Sequence, residues 1–598
     1  MDKITRSSFL KQSFRAGAIL MVAPLPRLLF AQEGSKNTQD ASLLKKLVDA
    51  NDGQVDDLLK SDFDNRTFSR RIGHDFNVLT ASYCSPTSRY YRSETLVIPL
   101  EKLSQHLLKA QADDGTVNVG NLESPPDTAF IIEVITAAAF PLLKEKAASL
   151  ARVKTNITTF LRKAGSALVA GGVHTPNHRW VICAALARLN ALFPDRKYVE
   201  RIDDWLGEGI FINTDGNYPE RSRIYSMVED SAFLTMARLL NKPALFEPVR
   251  KNLETTYYYT EPDGDLVSND SRRQDQYPWR PDANVRLSNL SYYLLYRYMA
   301  IKDRSPFFAA ITKQIESHPE FTDRIVKREL IHFLEEPLLL NQLPSAAPLP
   351  LQYEKVFTHS HLLRIRRNNI TSTLFGGVDW PLIIASGRSC SPDFFSYRKG
   401  TAALNYLRLS TSFFSTGYFY SEGLKKVGKS YVLSKKITAP YYQPLPKQLR
   451  KKDGDYALTE STDGRFWNKM DFRKRPVSNV KSLQITITLT EAAGRNNLLF
   501  DVEGQAGVNV TIELCFAKGG KLSGVTGGEN ENYFLESGTG KYEMTGDAIE
   551  FGPGIAKHKQ VTNLEGERYA THFGSLRTEG MHVYLTGTTP FTHTLTFS

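Results

Sequence analysis

The segment LPSAAPLPLQY, residues 343–353, separates two parts of the 598-residue chain that have different hydrophobic patterns. Its three prolines lack a backbone N–H and disfavour a helix, so we expect an irregular linker here. A chain of this length also exceeds what one hydrophobic core usually organises. We therefore predict two domains, one over residues 40–345 and one over residues 346–598.

Before the linker, apolar residues recur at helical spacing. LVIPLEKLSQHLLKAQ (96–111), WVICAALARLNAL (180–192) and SAFLTMARLL (231–240) are examples. Polar loops rich in Pro, Gly, Asp and Asn separate these runs. The pattern predicts a toroid or bundle of helical hairpins.

After the linker, the hydrophobic period changes to two. HLLRIRRNN (361–369), VKSLQITITLTE (480–491) and VNVTIELCFA (508–517) alternate or concentrate β-branched residues, with glycine-rich turns between them. Helices followed by strands indicate a multidomain α + β chain with an antiparallel β domain, rather than an alternating α/β fold.

The first 31 residues resemble a secretory signal peptide. They combine a basic start with an apolar stretch, and a small residue, Ala31, marks the expected cleavage point. TRSSFLK (5–11) also resembles a twin-arginine signal in which Ser7 replaces the second arginine. We predict a bacterial periplasmic or secreted protein. No other stretch approaches a membrane span.

The net charge of +11 includes +4 from Met1–Ala31, where five Lys and Arg oppose one Asp, which leaves about +7 on the remainder. We find no dense basic run and no nucleic-acid motif, so we expect no nucleic-acid partner. A mildly positive surface suits a polyanionic substrate. The four cysteines are far apart and lack metal-ligand spacing, which predicts isolated thiols.

The segment HTPNHRWVICAALARLNALFPD (174–195) places Asn177, His178 and Arg179 at the mouth of a predicted helix. These three side chains supply an amide, a titratable nitrogen and a fixed positive charge. The set suits the binding of a carboxylate beside a proton-transfer site. As an alternative, Asn177 would cap the helix and the other two would be surface residues.

A second segment, TDGNYPERSRIYSMVEDSAF (214–233), combines a predicted turn at Asp-Gly with several side chains of chemical interest. They are Tyr218, Glu220, Arg221 and Tyr225. As an alternative, the segment would be a solvated loop whose tyrosines pack on the surface.

A third segment, residues 257–286, is an aromatic and charged loop in which Tyr277, Trp279 and Arg280 are candidates to line a sugar cleft. A plain surface loop is the alternative. The three segments lie at successive helix ends, so a ring of hairpins would bring them to one rim. Asn, His, Tyr and Arg at one rim would suit β-elimination on a uronic acid.

That reaction removes the proton at C5, next to the carboxylate, and expels the glycosidic O4. The carboxylate charge must be neutralised, or the carbanion-like transition state is inaccessible. Asn and Arg do so without titrating. His can act as the base, and Tyr can donate a proton to O4, or act as the base if cations lower its pKa.

Four segments give the chain a resemblance to the heparinase II/III-like polysaccharide lyases, within the toroid-plus-β-sheet lyases that include alginate lyases. The segments are TPNHRW (175–180), DGNYPERSRIY (215–225), HSHLLRIRRNNITSTLFGG (359–377) and DFFSYRKGTAALNYLRLSTSFF (393–414). The resemblance implies an N-terminal α/α toroid, a C-terminal antiparallel β-sandwich, and a uronate-containing polysaccharide or oligosaccharide as substrate.

The resemblance also implies roles for individual residues. Asn177 would neutralise the carboxylate, His178 would be the base or its partner, and Tyr225 would be the catalytic tyrosine. Tyr218 is the alternative to Tyr225, and Arg179, Glu220 and Arg221 would orient the substrate and these side chains. Trp279 and Arg280 of the third segment complete the predicted substrate-binding residues. His359 or His361, which we expect on one face of a strand because they are two residues apart, would lie over the cleft.

Some members of the group bind a structural zinc through two His and one Asp of the β half. Here His361 and Asp379 could begin such a site, but no further His follows until His558. We therefore expect no cofactor, and neither a structural zinc nor a calcium ion has support in the sequence.

Two other functions stay open from the sequence. An α/α-toroid glycoside hydrolase would need two facing carboxylates, for which Glu220, Glu229 and Asp230 are available. A non-catalytic periplasmic glycan-binding protein would use the aromatic loops as its platform.

Overall fold

The computed structural model describes residues 39–273, 287–377, 392–414, 416–460, 467–529, 532–561 and 579–598. Residues Asp40–Ser598 form one compact unit. Its α-helices are α1 (Ala41–Leu58), α2 (Arg70–Cys84), α3 (Val97–Ala110), α4 (Pro125–Leu142), α5 (Ala151–Ala170), α6 (Pro176–Leu192), α7 (Arg196–Gly207), α8 (Arg223–Leu239), α9 (Phe246–Tyr258), α10 (Tyr293–Lys302), α11 (Pro306–Glu316) and α12 (Leu330–Glu335).

The helices form two layers. Helices α2, α4, α6 and α8 pack side by side, and α3, α5 and α7 pack side by side against them. Side chains on nearly every side of α4 and α6 are buried, whereas α7 buries only Tyr198 and Ile202. The predicted helical hairpins are therefore confirmed, with the more apolar helices in the inner layer.

The N-terminal ends of the inner helices meet at one rim. Alternate helices in a series of hairpins run in the same direction, so α2, α4, α6 and α8 all begin at the same end of the layer. Arg70 at the start of α2 donates to Asp127 at the start of α4 over 2.7 Å. The ring of Phe130 on α4 lies 6.3 Å from that of His178 on α6.

None of the helices in the described part of the chain combines the length and the apolar character needed to cross a bilayer.

The remainder of the chain is built from strands. They are β1 (Gln352–Phe357), β2 (Leu362–Arg367), β3 (Ile370–Phe375), β4 (Phe395–Lys399), β5 (Ala402–Thr411), β6 (Leu424–Val427), β7 (Ser430–Tyr442), β8 (Thr459–Glu460), β9 (Trp467–Asn468), β10 (Val477–Ala492), β11 (Arg495–Gly504), β12 (Asn509–Phe516), β13 (Lys521–Ser523), β14 (Thr526–Gly527), β15 (Asn532–Phe534), β16 (Gly540–Met544), β17 (Asp547–Gly552), β18 (Met581–Thr588) and β19 (Phe591–Phe597).

Two large sheets pack face to face. One has the order β1-β2-β3-β4-β5-β12-β18-β15-β14, and the other has the order β13-β16-β17-β19-β11-β10-β7-β6. Inward-facing residues of both, such as Leu407 and Ile485, share one hydrophobic core. Strands β15 and β18 pair in parallel, so the sandwich departs from the predicted antiparallel pattern at this pair.

Buried ion pairs join the helical and strand halves. Arg364 on β2 is fully buried and donates to Glu261, which follows α9, over 2.8 Å. Burial alone would raise the pKa of Glu261, but Arg364 and Arg398 outweigh it and lower that pKa to about 2. Arg398 on β4 also pairs with Asp263 and Asp265 at 2.6 and 3.0 Å. The loop after α9 is thereby held against the first sheet.

Replacing Glu261 with alanine should destabilise the fold strongly, because Arg364 would keep its charge in a fully buried site without a partner carboxylate at Glu261. We expect a loss of about 3–5 kcal/mol in the free energy of unfolding, measured by urea denaturation. The control is Asp49→Ala, which breaks an exposed pair with Lys45 and should cost less than about 1 kcal/mol. Equal losses in the two variants would contradict a special role for the junction.

Candidate active site

Asn177 and His178 lie in the first turn of α6, which begins at Pro176 after Thr175. Asn177 is therefore inside the helix, and the alternative that it caps the helix is wrong. A proline at the first position fits because its missing N–H would have no partner there. The Asn177 side chain is instead fully buried and faces the loop before α8.

Glu220 connects Asn177 to a residue that the sequence analysis did not single out. The Glu220 Oε2 atom accepts from the Asn177 amide over 2.7 Å, and its Oε1 atom pairs with the guanidinium of Arg273. All three side chains are less than a tenth exposed. The Arg273 guanidinium in turn lies 4.1 Å from the ring centre of Tyr225. Asn177 and Tyr225 are thus tied into one cluster through the Glu220–Arg273 ion pair.

Tyr225 lies in the first turn of α8, next to α6 in the inner layer. Ser222 caps this helix and accepts from the Tyr225 backbone N–H over 3.1 Å. The Tyr225 side chain is half-buried, with its ring against Arg273. The segment that the sequence predicted as functional is therefore a capped helix start at the rim.

His178 is half-buried beside two other rings and a cation. The His174 ring lies 4.9 Å from it, edge-on. Burial and, to a smaller extent, the charges of His174 and Arg273 together lower the pKa of His178 to about 4. Its Nδ1 atom has no hydrogen-bond partner among the described residues. At neutral pH His178 is therefore an uncharged imidazole.

Three acidic or phenolic groups behind the rim belong to the interior. Tyr218 is buried and donates to Asp230 over 2.8 Å, so it does not reach the rim surface. Burial raises the pKa of Tyr218 well above its usual range, and Asp230 and Glu229 raise it further. Burial likewise raises the pKa of Glu229, with the charges of Glu220 and Asp230 adding to the effect. Burial also raises the pKa of Asp230, so both carboxyl groups ionise less readily than a solvent-exposed carboxyl group.

Arg221 and Arg223 add positive charge near the rim. Arg221 has a left-handed backbone (φ 50°) and donates from its side chain to the Asp270 carbonyl over 2.8 Å. Arg223 is fully buried, donates to Asn217 over 2.7 Å, and lies 4.1 Å from the Tyr259 ring centre. Together with the helix N-termini, these cations make the rim favourable for an anion.

His359 and His361 lie in a turn, not on a strand. Strand β1 ends at Phe357 and β2 begins at Leu362, and these two residues pair at the end of the hairpin. Phe357 and Leu362 are both buried in an apolar cluster. The four residues between them, 358–361, therefore form the turn. The prediction of one shared strand face is therefore wrong. Both histidines are exposed.

Asp215 holds this turn against the helical half. Its carboxylate accepts from the backbone N–H groups of Thr358 and His359, over 3.1 and 2.6 Å. Arg221 donates to the His359 carbonyl over 3.4 Å. The loop before α8 thus binds two backbone N–H groups and one carbonyl of the β1–β2 turn. These hydrogen bonds hold the turn that carries His359 and His361 against that loop.

Of the remaining predicted site residues, Arg179 lies within the described residues. Arg179 pairs with Glu208 beyond the end of α7 over 2.6 Å, and its guanidinium lies over the Trp180 ring. Trp279 and Arg280 lie outside the described residues. In the described ranges no group of three His, Cys, Asp or Glu side chains could hold a metal ion.

Sequence reasoning missed two contributors to this site. Arg273 was visible only as one of two adjacent arginines in the third segment, and Asp215 only as a turn residue. Their roles depend on contacts that span up to 144 residues of sequence. The local pattern of charge therefore carried no sufficient signal for them.

Comparison with solved structures places this arrangement in a known fold. Heparinase III matches with a TM-score of 0.54 and 11% identity, over 94% of this chain and 85% of that one. The chondroitin AC lyase of Streptomyces coelicolor A3 in complex with chondroitin sulphate matches with a TM-score of 0.53 and 13% identity, over 94% and 80%. The fold is that of the heparinase-like polysaccharide lyases.

The same toroid-plus-β-sheet architecture is shared with a Paenibacillus xanthan lyase, at a TM-score of 0.50 and 11% identity. That match covers 93% of this chain and 57% of the xanthan lyase chain. No protein-family model matches the sequence, and no curated protein matches it. The predicted fold class, an α/α toroid followed by a β-sandwich, is confirmed.

In this lyase fold, Asp215→Ala should release the β1–β2 turn without unfolding the helices. We expect faster amide hydrogen exchange at Thr358 and His359, because both N–H groups lose their acceptor. Exchange within α6 should not change. Unchanged exchange at the turn would contradict the proposed anchoring.

The His178 imidazole should titrate near pH 4, and removal of a neighbouring cation should raise that value. NMR titration of histidine-labelled protein measures it, with His178→Ala identifying the signal. Arg273→Gln should shift the midpoint upward, because the Arg273 charge opposes protonation. A midpoint near the usual 6.5 in the unmodified protein would contradict this description of the site.

Proposed function

We propose that the protein is an exported polysaccharide lyase that cleaves a uronic-acid-containing glycan by β-elimination. The observation that carries the proposal is the meeting of His178 and Tyr225 at one rim around the Glu220–Arg273 ion pair. Each lies in the first turn of an inner helix. The fold supports the same conclusion, because two of the three structural relatives are named as lyases and one was solved with chondroitin sulphate.

The reaction needs positive charge around the uronate carboxylate. Arg273 and the rim end of α6 supply it in our proposal, with Asn177 holding Glu220 so that Arg273 stays in position. Because the Asn177 amide nitrogen already donates to Glu220, its contribution to neutralisation is the fixing of this bridge. This refines the role that the resemblance implies for Asn177.

Two side chains share the proton transfers. His178 accepts the C5 proton, the electron pair of that C–H bond forms the C4–C5 double bond, and the C4–O4 bond breaks as Tyr225 gives a proton to O4. The neutral state of His178 suits this role. A bound carboxylate beside it would raise the pKa of His178 and make it a stronger base once substrate is in place.

The geometry does not favour a glycoside hydrolase. Such an enzyme needs two accessible carboxyl groups that flank the scissile bond. Glu220 is engaged by Asn177 and Arg273, whereas Glu229 and Asp230 are almost fully buried. A water and a sugar ring would have to displace those contacts before the groups could act.

The test is the ultraviolet absorbance of unsaturated uronate during incubation with a panel of uronic-acid polysaccharides. We expect absorbance to rise on at least one of them, and Tyr225→Phe to lower the rate by about 10²–10⁴-fold, the range for loss of an acid–base group. The control is Tyr91→Phe, because Tyr91 lies on the loop after α2 and its ring contact with Arg92 survives.

Reducing ends without absorbance would replace the lyase with a hydrolase. Binding without either signal, unaffected by Tyr225→Phe, would favour the glycan-binding protein. Equal losses in Tyr225→Phe and Tyr91→Phe would remove Tyr225 from the mechanism.

A further inference from the structure

Residues 435–460 and 467–482, here called the basic arm, concentrate the positive charge of the protein. Within its described residues, eleven Lys and Arg oppose four Asp and Glu. This net charge of +7 equals the whole excess that remains after Met1–Ala31 is set aside. The rest of the chain therefore has equal numbers of positive and negative side chains. The excess positive charge belongs to one segment rather than to the surface as a whole.

The arm is a strand ribbon that continues past the edge of its sheet. Strands β7 and β10 pair from Ser430–Thr490 to Tyr442–Val477. Strand β6 pairs with β7 only up to Leu433, and β11 pairs with β10 only from Leu483. In the described sheets, residues 434–442 of β7 therefore pair only with β10, and residues 477–482 of β10 pair only with β7. The first four residues of β10 are exposed.

The end of the arm has its own small framework. The rings of Tyr442 and Phe472 lie 4.8 Å apart, and Arg475 donates to the Met470 carbonyl over 2.6 Å. Strands β8 and β9 form a short pair within it. The cations are thus displayed on an ordered support, which limits the entropy lost when they bind a ligand.

The arm begins beside the candidate active site. Lys435, its first residue, pairs with Glu422 over 2.7 Å. Gly423, which follows Glu422, lies beside the ring of His361. A Cβ atom built on Gly423 would be 3.9 Å from that ring. Gly423 and His361 also both bond to Gly376 through their backbones, at 2.8 Å each. A chain that leaves the site past His361 would therefore meet the arm.

We propose that the basic arm is a second binding site, which holds the part of a polyanionic glycan that extends beyond the active site. Several arm cations have no ion pair with described residues and are free to contact anionic groups; they include Lys436, Lys447, Lys452 and Lys481. Exposed Trp467 (58%) and Tyr441 (48%) provide flat apolar surfaces for sugar rings. The inference rests on the proposed function for its choice of a glycan over other polyanions.

The experiment compares two fourfold variants. In the arm variant, Lys436, Lys447, Lys452 and Lys481 become glutamine, which leaves no carboxylate without its partner. In the control variant the same change is made at four lysines of the helical half that are exposed and form no ion pair with described residues: Lys46, Lys144, Lys146 and Lys313. Equal melting temperatures of both variants show that the fold is kept.

Binding is measured on full-length Tyr225→Phe protein, so that it does not depend on cleavage. The probes are heparin, alginate, dextran, duplex DNA and phosphatidylglycerol vesicles. We expect the arm variant to bind heparin or alginate about tenfold more weakly than the control, and with a weaker dependence on salt. Dextran, which is neutral, should not bind to the arm.

Activity on a cleaved polymer provides a second measurement. The arm variant should raise KM about tenfold and leave kcat unchanged. A disaccharide substrate, too short to reach the arm, should show no change in either value. Loss of cleavage with arm-dependent glycan binding would remove the proposed lyase activity and keep the arm site.

Three results would overturn the proposal. They are equal glycan affinity of the arm and control variants, tighter arm-dependent binding to DNA than to any glycan, and tighter arm-dependent binding to vesicles than to any glycan. The last two would assign the arm to a nucleic acid or to a membrane surface instead.

Discussion

The candidate active site depends on one carboxylate. Glu220 lies in the loop before α8, and its two oxygens hold Asn177 on α6 and Arg273 in the loop after α9. These two contacts join Glu220 to parts of the chain that are 43 and 53 residues away. Because the carboxylate is buried, neither contact is weakened by solvent. The bridge therefore helps to hold the Arg273 guanidinium over the ring of Tyr225.

The same loop also connects the two halves of the molecule. Asp215 grips the β1–β2 turn, Arg221 holds the carbonyl of His359, and the α9–α10 loop is joined to the first sheet through Glu261 and Arg364. The junction therefore sets the position of His359 and His361 relative to the rim. Glu220, which holds Asn177 and Arg273 at the rim, and Asp215 and Arg221, which hold the β1–β2 turn, thus lie in the same loop before α8.

Much of this architecture follows from the spacing of apolar residues along the chain. The helical runs, the strand runs and the change at the proline-rich linker are local patterns, so they were predictable from the sequence. The Asn177–His178 and Tyr225 segments were predictable as helix starts with unusual polar content. Arg273, Asp215 and the turn that carries His361 were not, because their roles arise from long-range contacts and from the end pairing of a hairpin. The basic arm was missed because the charge of the whole chain hid its concentration in one ribbon.

The measurement that tests the central claim most directly is mass spectrometry of the products formed from a uronate glycan in water labelled with oxygen-18. β-Elimination predicts a fragment that is lighter than the hydrolysis product by one water and carries no oxygen from the solvent, together with a matched unlabelled reducing end. Products that gain a labelled oxygen at the cleaved bond would contradict the account, because they would require an attacking water and an accessible pair of carboxylates.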